Sequence, residues 1–164
     1  TYQLPEAQLD RFMFKVTIDY PNMDDEHAVM KRMAHPNPDL SVNRVMSLDQ
    51  ILSLRKLIDA VHIEETLERY ILKLVDATRR PDNYDLDCSN LIRHGASPRA
   101  SIFLSIAARG YALMQGRDYV VPDDIKSVGM DILRHRVALT YRAEAANTTS
   151  EDIIALIFKT VEVS

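Results

Sequence analysis

Ser97-Pro98-Arg99-Ala100 is the stretch of this chain whose residue types and spacing could hold a phosphate. Ser97 is a good N-cap and Pro98 suits a first helical position, so a helix begins here. Arg99 then falls in the first turn, at the positive end of the helix dipole. A cation there is disfavoured by about 0.3–1 kcal/mol unless an anion sits in front of it. Unpaired backbone N–H groups, the dipole and a guanidinium would converge on one spot, and that donor set suits a phosphate. The plainer alternative is a surface arginine lying over the apolar helix or pairing with Asp85 or Asp87.

Other chemistries find little support. His27, His35, His62, His94 and His135 form neither an i,i+4 pair nor a His-Glu-x-x-His pattern, so no metal site is read. Nothing frames Cys88 or any serine as a nucleophile, and Cys88 reads as a small buried thiol. The four glycines, Gly95, Gly110, Gly116 and Gly129, are scattered, and no phosphate-cradling Gly-x-x-x-x-Gly-Lys-Ser/Thr loop is present. By itself, then, the segment is not expected to hold and hydrolyse a nucleotide by P-loop chemistry. Arg134-His135-Arg136 and Arg142 lie late in a helix or just beyond one, where cations suit the dipole. Their functional alternative is a contact surface for a neighbouring subunit or for nucleic acid. In Leu4 to Phe12, Pro5 can open a short helix with Asp10 and Arg11 near its end, a placement that requires no chemistry of Arg11.

The chain has 164 residues, enough for one domain, or one domain and a fragment, with a sizeable core. Hydrophobic content of 46% and a net charge of −4 give no general reason to expect a polyanionic partner. The single cysteine excludes an intrachain disulfide and fits a reducing cytosol. No apolar run approaches the roughly 20 residues that span a bilayer. The chain begins at Thr1, almost inside a motif, and reads as a piece of a longer protein.

The elements that must position these residues are mostly helical. Residues 12–18, Phe-Met-Phe-Lys-Val-Thr-Ile, are the one persuasive strand, expected to be the last strand of a sheet lying elsewhere. Helices are then expected from Asp24 to about His35, after the Ser47…Gln50 capping box, from Glu64 to Arg80 and over 98–115. Two more start at Pro122 and Ser150. The 98–115 helix is apolar nearly all round, as at the centre of a bundle. Residues 82–94 read as irregular. The fold class is all-α, a bundle of about six helices preceded by one orphan strand.

Four ordered segments resemble one family. Leu4 to Phe12 resembles the end of the ATPase core in AAA+ ATPases of the MoxR family, and Gly95 to Ala100 their sensor-2 motif. Gly116 to Asp124 and Leu133-x-His135-Arg136 are similar to two further family segments. The resemblance implies residues 1–22 as the tail of the core and 23–164 as the helical lid. It implies Arg11 as an arginine finger acting on the adjacent subunit, with Asp10 supporting it. Arg99 matches sensor 2, a nucleotide contact in its own subunit, with Ser97 and Pro98 beside it. It further implies ATP with Mg²⁺ in the parent protein, a hexameric ring of like subunits, cytoplasmic location and a client that is remodelled or given a cofactor. The Walker motifs are absent from this chain, so the segment is not expected to be active alone. The contrasting reading is a stand-alone helical module binding protein or, through Arg134, Arg136 and Arg142, nucleic acid.

Overall fold

The computed structural model describes residues 5–163. Leu4 and the rest of the first four residues, part of the first motif, lie outside them. Among the described residues there are eight α-helices and one two-stranded sheet. Six helices have eleven or more residues: α2 (Met23–Met33), α3 (Leu48–Ala60), α4 (Glu65–Ala77), α5 (Pro98–Met114), α6 (Pro122–Leu133) and α8 (Ser150–Thr160). The other two are short, α1 (Glu6–Leu9) and α7 (Tyr141–Ala145). None of the described helices is long and apolar enough to cross a membrane.

Local chemistry fixes the starts. The Asn22 side chain caps α2, Ser47 and Gln50 form the expected reciprocal box on α3, and Ser97 caps α5. A second box, Thr149 with Asp152, starts α8.

The core lies where α4, α5, α6 and α8 meet. On α4, Leu67, Tyr70, Ile71, Leu74 and Val75 are buried, the i, i+3, i+4, i+7 stripe that its sequence carries. From α5 come mainly small residues, Ala100, Ala107, Ala108 and Ala112, around Leu104. Short side chains let neighbouring backbones approach closely. Gly129 does the same on α6, where a Cβ would stand 2.5 Å from the Phe158 ring of α8. The all-round apolar pattern of α5 does not translate into all-round burial: Ile102, Ile106 and Met114 are exposed, because α3, α4 and α6 cover only part of the helix.

One expectation changes, for residues 82–94, and the stretch expected as an orphan strand stands unpaired. Residues 12–18 pair with no strand among the described residues and run as an irregular segment. Their bonds go instead to the C-terminal end of α6 and the turn after it, with the Lys15 N–H donating to the Asp131 carbonyl at 2.8 Å. The stretch 82–94, expected as irregular, holds a 3-10 turn (Pro81–Tyr84) and the strand β1 (Ile92–His94). This strand pairs antiparallel with β2 (Ala138–Leu139). The pairing matters most for the site, because it lays the chain after α6 beside the chain before α5. Cys88 is a buried free thiol, as expected, and burial pushes its pKa up.

Candidate functional site at the start of α5

The loop ahead of α5 is pinned from below by Thr78. Its hydroxyl donates to the Val75 carbonyl (2.6 Å) and accepts from the Ala96 N–H (2.9 Å), and Arg79 Nε donates to the Ala96 carbonyl (2.6 Å). Gly95 rests directly on this residue; a Cβ would lie 2.2 Å from the Thr78 carbonyl oxygen, so only glycine fits. Ser97 is thereby held with its hydroxyl accepting from the Arg99 N–H at 3.2 Å. Pro98, at the first helical position, has no N–H to offer a ligand and sets the start of the helix.

The anion in front of this helix start is Asp10. Its carboxylate accepts from Ser97 Oγ (2.9 and 3.0 Å), from Arg99 (2.5 Å) and from Arg136 Nε (3.0 Å). Arg99 thus pairs with Asp10 rather than with Asp85 or Asp87. Asp10 serves these groups and makes no bond to Arg11, the neighbour the resemblance has it support. Burial alone would raise the Asp10 carboxyl pKa, but Ser97, Arg99 and Arg136 together outweigh it and hold it below the usual carboxylate range.

Arg136 is the buried member, with 1% of its side chain exposed against 19% for Asp10 and 45% for Arg99. Besides the carboxylate, it donates to the backbone carbonyls of Asp10 (2.9 Å), Met13 (3.3 Å), Phe12 and Ile132. The Phe103 ring of α5 lies under its guanidinium, 5.1 Å from the centroid. Burial lowers its pKa and Asp10 opposes that shift. His135 Nε2 meets the Phe12 carbonyl at 3.1 Å; burial first, then Arg136 and Lys15, lowers its pKa. Arg134 pairs with Asp131 (3.0 Å) and Glu151 (3.7 Å) and donates to the Thr17 hydroxyl.

These groups border a cleft of about 760 Å³ whose walls include Asp10, Lys15, His94, Ser97, Arg134 and His135. At its edge one hydroxyl and two guanidiniums, those of Ser97, Arg99 and Arg136, converge on the Asp10 carboxylate.

The structure therefore brings Asp10, Ser97 and Arg99 together. Arg11 stands apart, exposed beyond α1, its guanidinium without a hydrogen-bond or ion-pair partner among the described residues. Arg136 lies just past α6 and donates to the Ile132 carbonyl, as a cation suited to that helix end does, but its burial and its bond to Asp10 are not read from the sequence. The signal lay in Leu133-x-His135-Arg136 combined with Asp10: a buried arginine requires a carboxylate. Two of the three cations proposed for a nucleic-acid face, Arg134 and Arg136, are engaged within the chain, and of the three only Arg142 is exposed.

Comparison with known proteins agrees with this fold. The AAA lid domain family matches residues 85–157, which carry β1, α5, α6 and most of α8. Chaperone MoxR1 of Mycobacterium tuberculosis is 38% identical over 161 residues, covering 98% of this chain and 42% of that protein. Protein MoxR of Methylorubrum extorquens is 31% identical over 176 residues, with 98% and 50% covered. The crystal structure of a candidate ATPase from Cytophaga hutchinsonii superposes with a TM-score of 0.94 at 43% identity, covering 99% of this chain and 50% of that one. The chain spans about half the length of the curated relatives it matches, 42% and 50% in these two cases. With the lid match, the relatives and the superposition in agreement, this chain corresponds to the C-terminal part of a MoxR-type AAA+ ATPase.

Proposed function

We propose that this segment serves a ring-forming ATPase as both lid and finger-bearing tail, with residues 1–22 closing the ATPase core and residues 23–164 forming the lid. Arg11 is the arginine finger and reaches the γ-phosphate held by the adjacent subunit. There a guanidinium stabilises charge developing on the transferred phosphoryl group, an effect worth about 10³–10⁵ in rate in well-studied GTPases. Arg99 is sensor 2, with Ser97 beside it, and senses nucleotide in its own subunit.

One observation carries the reading: the Asp10 carboxylate is bonded by Ser97 and Arg99 at the start of α5 and is the residue next to Arg11. The donor set already holds one oxyanion, so its chemistry fits phosphate oxygens as well. ATP, with its Mg²⁺ held by residues outside this chain, would supply the anhydride that drives the ring. A hinge near residues 19–24, where the described chain passes from the irregular segment into α2, lets the lid move when Arg99 changes partner. The ring is hexameric and cytoplasmic, and its work is chaperone-like remodelling of a client or insertion of a metal or cofactor into it.

The test uses the full-length ATPase. Arg99→Ala and Arg11→Ala should each lower ATP turnover, and wild-type turnover in both removes the assigned roles. Mixing Arg11→Ala subunits with subunits whose Walker motif is inactivated should partly restore turnover, because the second kind still donates a finger. Absence of recovery argues against action in trans.

A further inference from the structure

Arg11 has no side-chain partner among the described residues to aim it, so its direction depends on the backbone that carries it. The donors of that backbone are taken from one side: the Arg11 N–H reaches the Gln8 carbonyl at 3.2 Å and the Phe12 N–H the Leu9 carbonyl at 3.0 Å. The acceptors are taken from the other side by one residue. Arg136 donates to the carbonyls of Asp10, Phe12 and Met13, bracketing Arg11, and to the Asp10 carboxylate. Its own position is fixed by the Ile132 carbonyl and the Phe103 ring. Only a guanidinium presents five donors in a rigid plane; a lysine has three on a flexible stem.

We propose that Arg136 is the positioning residue for Arg11, clamping residues 10–13 from the lid so that the finger points out toward the neighbouring subunit. The inference rests on the reading of Arg11 given above. It makes the lid part of the finger's mounting, since the clamp sits in the turn between α6 and β2 and is packed against α5. Asp10 ties the same clamp to Arg99.

The experiment compares Arg136→Met, Arg136→Lys and Arg11→Ala in the full-length ATPase. Misplacing a reacting group by about 1 Å can cost roughly 10²-fold, so turnover at saturating ATP should fall by about that factor in Arg136→Met and by less in Arg136→Lys. Affinity for a fluorescent ATP analogue should change by less than turnover does, because Arg99 and Ser97 are themselves unaltered in the variant. Mixed with Walker-inactivated subunits that keep Arg11, the Arg136→Met protein should regain turnover, which a merely disrupted subunit would not do. Wild-type turnover in folded Arg136→Met, or no recovery on mixing, overturns the inference. If Arg136→Met does not fold, Arg136→Lys decides by the same readings: lowered turnover with recovery supports the clamp, and wild-type turnover overturns it. Wild-type turnover in Arg11→Ala sinks the finger assignment and this inference with it. A loss in Arg11→Ala without any in the folded Arg136 variants sinks the clamp alone.

Discussion

Residues 10–17 and residues 23–60 both leave large apolar side chains in the open, yet the two regions are held in opposite ways. Phe12, Phe14 and Val16 are exposed, as are Met30 and Met33 of α2 and Ile51 and Leu52 of α3. The first region has no regular structure after α1, and its backbone is stitched to residues 131–136 through Lys15, His135 and above all Arg136, with Arg134 donating to the Thr17 hydroxyl. The second is helical on either side of the irregular stretch 34–47, and its order is mostly internal: α2 and α3 close their own hydrogen bonds and caps and bury no residue fully. Along α3, Ile58 is the half-buried residue, lying toward Gly110 of α5. At its end His62 joins the chain beside Tyr119, with its N–H donating to the Asp118 carbonyl at 2.8 Å. The contrast teaches that an irregular segment can be tied to the body by polar contacts while two well-formed helices bury no residue against it. A hydrogen bond to a buried guanidinium specifies one geometry, whereas exposed apolar area specifies none.

Replacing Arg136 should break the contrast most severely. Removing one partner of a buried ion pair strands the other and several carbonyls, so Arg136→Met should cost this chain on the order of 3 kcal/mol in urea unfolding. A loss no larger than that of a typical surface substitution would mean that residues 10–17 are held by something else.

Asp10→Asn sharpens the same point through pH, with an expected cost of about 2 kcal/mol at neutral pH. The folded-state pKa of Asp10 is lowered, so its stabilisation is complete above the unfolded value of about 3.9 and is lost as pH falls through the folded value. The gap between wild type and Asp10→Asn should therefore be constant from neutral pH down to about pH 5 and close below about pH 4. Asp124 behaves alike: its burial, which would raise the carboxyl pKa, is outweighed by Arg117 and the Val121 N–H. Acid unfolding will thus persist in the Asp10→Asn chain, while a gap independent of pH would contradict the assignment of charge to Asp10.

The smallest effect is expected in the other region. Ile51→Ser on α3 should change stability by no more than about 0.5 kcal/mol, because the side chain is exposed and no buried contact is lost. A cost of 2 kcal/mol or more in the same unfolding measurement, typical of about one lost core side chain, would show that α3 packs as tightly as α4.

Much of the architecture was legible because its signals are local. The capping box at Ser47 and Gln50, the stripe from Leu67 to Val75 and the Ser97-Pro98 start all hold as read. The stretch 12–18 was legible as residues that favour extended backbone, but residue type does not record a pairing partner, and none stands among the described residues. The candidate site was legible in part. Ser97, Arg99 and Asp10 were each marked, but their meeting across 87 and 89 residues of chain was not. Arg136 was noticed as charge at a helix end and missed as a buried clamp. The short β1–β2 pairing that brings its turn beside α5 rests on only five residues.

By itself the sequence determined where helices start, which faces are apolar, and that an arginine stands at the positive end of α5, since these follow from residues within a turn or two of one another. Only the tertiary structure decided which anion answers that arginine and which cation lies buried. Those outcomes depend on α1, α5 and the turn after α6 converging in space, where a carboxylate and a guanidinium withdrawn from water must find each other or forgo their solvation.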